Sequence, residues 1–182
     1  LKEYLSKYKN LKCIFLKKNK GYGGGIIEGL KIAKGKFLSW THADMQTNPC
    51  DVINAEEFIF SNKKNIFIKG LRKGRPFIDQ FFTFSMSLIA TLRLGYFFRD
   101  INAQPTIFPA SFFQNWDNPP FDFSLDIYAY YEAKRLRYKI YRFPVKFSQR
   151  LFGTSSWNKD IISKIKFIKR NLKYIKDLSN KK

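Results

Sequence analysis

The sequence predicts an α/β domain, and three observations carry that expectation. Short apolar runs alternate with stretches of helical periodicity along the whole chain. The 182 residues fit one domain, with enough chain to bury a core. Hydrophobic residues make up 45%, which excludes a disordered polycation.

Leu1–Lys9 reads as the end of a helix and Leu11–Leu16 as a short strand. The turn Asn19-Lys20-Gly21-Tyr22-Gly23-Gly24-Gly25 leads into Ile26, Ile27, Leu30, Ile32 and Ala33, whose spacing is helical, and Gly35 ends that helix. Lys36–Thr41 reads as a second strand that runs directly into His42–Pro49. Pro49 starts a helix carrying Val52, Ile53, Phe58 and Ile59. Asn65–Lys69 is a third strand, and Gly70–Pro76 a loop with Arg72, Lys73 and Arg75. Phe77–Phe98 is apolar, but Asp79, Gln80 and Arg93 argue for a buried or interfacial helix pair rather than a membrane span. A polar loop over Arg99–Pro105 precedes a short strand at Thr106–Phe108. Asn115–Pro120 is rich in turn formers, and Asp122–Leu136 is helical. Lys139–Phe147 alternates, and Pro144 keeps it at an edge or an end. After a polar loop at Gln149–Asn158, Asp160–Leu178 is an amphipathic helix with Ile161, Ile165, Ile168, Leu172 and Ile175 on one face.

The net charge of +20 calls for an anionic partner or surface. It is concentrated at the ends: ten Lys against two Glu in residues 1–36, and nine Lys and Arg against two Asp in residues 159–182. A nucleic-acid reader keeps its charge on the recognition element, so a membrane surface suits this distribution better and no nucleic-acid partner is expected. Cys13 and Cys50 form no closely spaced pair, which argues against zinc and for a reducing compartment.

Two segments carry chemistry. The glycine run lies between a strand and a helix but lacks a P-loop Lys, and Ile26 breaks the dinucleotide spacing. It is either a tight helix start or a place of close approach to a nucleotide sugar. His42-Ala43-Asp44-Met45-Gln46 stands at the end of a strand, where open α/β sheets bind ligands. Asp44 and Gln46 offer hard oxygen donors suited to Mg²⁺ or Mn²⁺ on a diphosphate; the plain alternative is a helix or turn cap.

These blocks, in this order, resemble the family-2 glycosyltransferases. The closest group is the polyprenyl-phosphate sugar transferases of the dolichyl-phosphate mannose synthase type. The resemblance rests on Asn19-Lys20-Gly21, Ala33-Lys34-Gly35, the strand ending His42 to Pro49, Gly70-Leu71-Arg72, Asp100 with Pro105 to Phe108, Phe143-Pro144-Val145, and Arg150 to Ser155. It implies a GT-A fold, a Rossmann-like mixed sheet flanked by helices, over residues 1–158. Residues 159–182 would be a basic amphipathic helix and tail. It implies that Asp44 and Gln46 hold the cation, and that Asn19, Gly23, His42 and Ser155 serve the donor. Arg72 and Arg75 would face an anionic acceptor, and Arg150 would close over the phosphates. Asp100 lies beside the cleft, and Asp126 falls where relatives carry an acid able to act as base.

Two departures stand out. His42 replaces the first Asp of the family's Asp-Ala-Asp motif, leaving the site one negative charge poorer. The family's opening nucleoside-binding strands have no counterpart, which predicts an N-terminally truncated GT-A domain. The resemblance implies an inverting transferase at the cytoplasmic membrane face. It would move sugar from a nucleotide-sugar donor to a polyprenyl-phosphate or glycan acceptor, with Mg²⁺ or Mn²⁺. The competing readings are a non-catalytic scaffold of the same fold and a basic nucleic-acid-binding module.

Overall fold

The computed structural model describes residues 7–8, 10–44, 46–61, 65–148 and 161–180. Its elements in chain order are α1 (Gly21–Ile32), β1 (Phe37–Trp40), α2 (Asp51–Asn54), α3 (Glu56–Ser61) and β2 (Ile66–Lys73). They continue with α4 (Phe77–Leu94), β3 (Thr106–Pro109), α5 (Ala110–Gln114), α6 (Leu125–Arg135), β4 (Lys139–Lys146) and α7 (Ile161–Asn180). The strands form one mixed sheet in the order β1-β3-β2-β4. β3 lies antiparallel to both neighbours, pairing Leu38 with Phe108 and Ile68 with Ile107. β2 and β4 run parallel from Ile66 opposite Lys139 to Lys73 opposite Lys146. The result is the α/β architecture that the periodicity predicts, with helices packed on a mixed sheet.

β2 organises the core because both of its faces are covered, as its continuous apolar run requires. Its side chains alternate. Ile66 and Ile68 join Ile107, Phe143 and Val145 on one face. Phe67 faces the other way, with its ring centroid 6.0 Å from Phe108, 5.7 Å from Phe112 and 5.9 Å from Tyr130. Lys69, two residues on, shares that second face and meets α6 one turn before Tyr130, at Asp126. Gly70 has no room for a side chain: an added Cβ would stand 2.2 Å from the Gln104 carbonyl oxygen. That close approach lays the loop before β3 across β2, where the Gly70 amide donates to Pro105.

Several expectations are corrected. Leu11–Leu16 forms no strand; Phe15 is 77% exposed and the segment enters no ladder. A strand needs a neighbour to take its hydrogen bonds, and among the described residues the sheet stops at β1. β2 continues through Lys73, because β4 pairs with it to the end, so Arg72 sits in a strand and not a loop. The helix after Pro49 is interrupted at Ala55 into α2 and α3. Phe77–Phe98 holds one helix, not a pair: nothing stops α4 before Gly95, whose positive φ of 72° forms the C-cap. Among the described residues Pro144 does lie on an edge strand, since there β4 pairs with β2 alone. Among the described residues no helix is long and apolar enough to cross a membrane.

Candidate functional site

A cavity of about 340 Å³ opens where β1 and β2 end. Each wall comes from a different element. The loop after β1 supplies His42, Asp44 and Gln46; the end of β2 and the loop after it supply Arg72 and Arg75; α1 supplies Tyr22 and α6 Asp126. Asp79, Phe82, Thr83 and Met86 of α4, Ile127 of α6, and Phe167, Ile168, Asn171 and Ile175 of α7 also line it, with Ile101, Asn102, Phe123 and Phe147. One side is therefore dominated by charged groups and the other by apolar side chains, with Thr83 and Asn171 as polar members of the α4 and α7 walls.

The loop after β1 is held locally. Asp44 Oδ1 accepts from the Gln46 amide at 3.2 Å, an Asx turn that Asp favours. The Gln46 side-chain amide donates to the Ser148 carbonyl at 3.3 Å, joining this loop to the chain after β4. Burial lowers the His42 pKa; the nearby Asp126 and Asp44 carboxylates partly oppose that shift. Neutral imidazole at this place is a hydrogen-bonding group more than a charge.

Arg72 and Asp100 form a two-point pair. The Arg72 amide donates to Asp100 Oδ2 and Arg72 Nε to Oδ1, each at 2.9 Å, and Nη2 also reaches Oδ1. Burial raises the Asp100 carboxyl, but the Arg72 guanidinium and its hydrogen bonds outweigh this and hold it below the usual range. Arg72 and Arg75 both lie over the Phe147 ring, 5.3 and 5.5 Å from its centroid. Arg75 also donates to Thr83 of α4 at 2.6 Å. Arg72 is paired with Asp100, and Arg75 stands within the field of both Asp100 and Asp79, which also lines the cavity, so this end carries two guanidinium groups with carboxylates beside them.

At the floor, Asp126 meets Lys69 Nζ at 3.3 Å and accepts from the Tyr22 hydroxyl at 2.9 Å. The Tyr22 ring stacks on Phe123 with centroids 4.4 Å apart. α7 closes the apolar end, packing along α4 and reaching Asp122 through Arg170 at 3.3 Å.

Of the residues singled out in the sequence, His42, Asp44, Gln46, Arg72, Arg75 and Asp126 meet at this cavity, and Asp100 stands behind Arg72. Asn19 accepts from the Gly21 amide at 2.8 Å and shapes the entry to α1. Gly23 is packed against backbone, where a Cβ would meet the Pro120 carbonyl oxygen at 2.5 Å. Neither lines the cavity. Arg150 and Ser155 lie outside the described residues. Sequence reading missed Lys69, Tyr22, Phe147 and the α7 wall. Its one available signal was a Lys closing an otherwise apolar strand.

The donor set fits a hard divalent cation in a particular way. Among the described residues no three His, Cys, Asp or Glu side chains cluster to hold a metal by themselves. Asp44 and Gln46 provide one carboxylate and one amide oxygen, which suits an ion completed by substrate phosphates and water.

No curated protein gives a significant match to the chain. The family model for glycosyl transferase family 2 matches residues 1–116, which include every cavity residue from Tyr22 to Asn102 and end before Asp126. With a mixed sheet of GT-A type, and with the strand-end cavity inside the matched region, the chain belongs to glycosyl transferase family 2 and is a glycosyltransferase.

Proposed function

We propose that the chain moves a sugar from a nucleotide-sugar donor to a polyprenyl phosphate, with inversion, at the cytoplasmic face of a membrane. The observation that carries this reading is the two-ended cavity. Its polar end offers Asp44 and Gln46 for a donor diphosphate, and Arg72 and Arg75 for an anionic acceptor head. Its apolar end, between α4, α6 and α7, suits a hydrocarbon chain. The outer face of α4 agrees with a membrane surface: Phe77, Ile78, Phe81, Phe84, Leu88 and Leu92 are all exposed. Basic segments at both ends of the sequence would add attraction to anionic lipid.

In this reading the acceptor oxygen attacks the anomeric carbon opposite the departing diphosphate. Arg75, with Arg72 beside it, holds the acceptor anion. Asp44 and Gln46 would hold Mg²⁺ or Mn²⁺, which supplies charge neutralisation on the diphosphate when bound. A phosphate acceptor is already a nucleophilic anion and needs no base. A second reading, a glycan hydroxyl as acceptor, is favoured by Asp126, a carboxylate in the cavity wall able to take a proton.

Because the protein supplies few ligands, Mn²⁺ alone is expected to bind only weakly, and to bind together with nucleotide sugar. Calorimetry with UDP-glucose, UDP-N-acetylglucosamine and GDP-mannose, each with and without Mn²⁺, checks this. Tight binding of Mn²⁺ without nucleotide, or binding of nucleotide sugar unaffected by Mn²⁺, goes against the assigned roles of Asp44 and Gln46.

A further inference from the structure

Among the described charged residues, Lys69 alone is fully buried, at 0% exposure, and its partner Asp126 is 2% exposed. Their surroundings form a connected set. Lys69 Nζ donates to Thr106 Oγ1 at 2.8 Å and to Asp126 Oδ1 at 3.3 Å. Tyr22 donates to Asp126 Oδ2 at 2.9 Å, and the Gln104 side-chain amide donates to the Tyr22 hydroxyl. Both carboxylate oxygens are thus held, from β2 on one side and α1 on the other. Stability is a poor reason for this arrangement. Taking two charges out of water costs more than an apolar pair of the same size, and such replacements are often neutral or stabilising. Asp126 is nevertheless one of the residues that line the cavity.

We propose that Lys69, together with Tyr22, is a positioning residue for glycosyl transfer. It fixes the Asp126 carboxylate so that a remaining lone pair faces a sugar hydroxyl in the cavity. This rests on the glycosyl-transfer reading above. The hydroxyl has two possible sources. On the donor's sugar, it donates a hydrogen bond to Asp126 and is oriented by it. On an acceptor sugar, its proton passes to Asp126 as its oxygen bonds to the anomeric carbon. The bond from that carbon to the diphosphate breaks, and the electron pair leaves with the nucleoside diphosphate.

The groups facing Lys69 are Asp126 from α6, Arg142 from β4 and Asp100 from the loop before β3. Asp126 in turn faces Tyr22 of α1 and His42 after β1. Burial pushes the Lys69 ammonium down to about 8; Asp126 pulls it back up, and Arg142 adds to the fall. Above that pH the folded chain loses the Lys69 proton and with it the grip on Asp126, so turnover declines. Stability moves the other way. The unfolded chain keeps the proton up to the ordinary Lys value of 10.5, so this group's contribution rises between about pH 8 and 10.5.

The test is a double-mutant cycle in the full chain with Lys69→Met, Asp126→Asn and both together, beside Tyr22→Phe. The donors are UDP-glucose, UDP-N-acetylglucosamine and GDP-mannose with Mn²⁺; the acceptors are farnesyl phosphate and free glucose. Lys69→Met and Asp126→Asn are each expected to lower kcat/KM about tenfold or more. The double variant is expected to be no worse than Asp126→Asn alone, because Lys69 acts only through Asp126. The alkaline decline of the wild type near pH 8 is expected to be absent from the residual activity of Lys69→Met. A rise in donor KM with both acceptors assigns the hydroxyl to the donor; a loss in kcat confined to glucose assigns it to the acceptor.

If Lys69→Met alone fails to fold, the double variant, which leaves no unpaired buried charge, is compared with Asp126→Asn; equality of those two supports the inference. A Lys69→Met chain indistinguishable from wild type overturns the Lys69 assignment alone, as does a further loss when Lys69→Met is added to Asp126→Asn. A wild-type chain silent with every pair overturns the transfer reading and this inference with it.

Discussion

Replacing Phe67 by alanine is expected to destabilise the fold by about 3–5 kcal/mol, as truncation of a buried aromatic residue does. Phe67 is 0% exposed and sits at the centre of the sheet's larger core. Its ring is stacked with Phe108 and Tyr130 and meets the edge of Phe112. Those partners come from β3, α6 and α5, so one truncation loosens the sheet from both helices. The neighbours are themselves locked, Phe98 against Tyr130 at 5.0 Å and Phe112 against Tyr138 at 4.8 Å, which limits collapse into the space left behind. Chemical denaturation checks it: the midpoint should fall while the slope with denaturant stays constant. A loss under about 1 kcal/mol would show that the core repacks freely.

Asp44→Asn is expected to lower transfer by about 10²–10³, the range for removing a group that stabilises developing charge. The substitution keeps the side-chain oxygen that accepts from the Gln46 amide, so the Asx turn and the melting temperature should hold. It removes a carboxylate from a site whose first family Asp is already His42. The measurement is kcat/KM across a Mn²⁺ titration, beside a thermal melt. Unchanged activity in a folded variant would remove Asp44 from the chemistry.

The fold was legible wherever one element's own pattern decides its shape. The spacing of Ile26, Ile27 and Leu30 places α1, and the run through Trp40 places β1. Leu11–Leu16 misled because an apolar run states a preference for burial, while a strand also needs a partner's hydrogen bonds. The reach of β2 to Lys73 was hidden for the same reason: its last residues are polar, and only the pairing with β4 keeps them extended.

The candidate site was legible at its strand ends. His42, Asp44, Gln46, Arg72 and Arg75 stand in loops and strand termini, where polar residues are conspicuous in sequence. The floor was not. Lys69 reads only as the last residue of the strand Asn65–Lys69, and the placement of α6 beside β2 is what brings it to Asp126. The apolar stripe expected for α7 holds only in part: Ile168 and Ile175 reach the cavity, but Ile165 is 45% exposed, and Phe167 and Asn171, outside that stripe, line the cavity because α7 packs along α4.

The most direct test of glycosyl transfer is product formation by the wild-type chain. Farnesyl phosphate in anionic vesicles is supplied with each nucleotide sugar and Mn²⁺, and the lipid fraction is analysed by mass. The expected result is one sugar added to farnesyl phosphate from at least one donor, with release of the nucleoside diphosphate and loss of product when Mn²⁺ is chelated. No sugar-bearing lipid from any donor, in a chain that is folded and bound to the vesicles, would contradict the polyprenyl-phosphate reading.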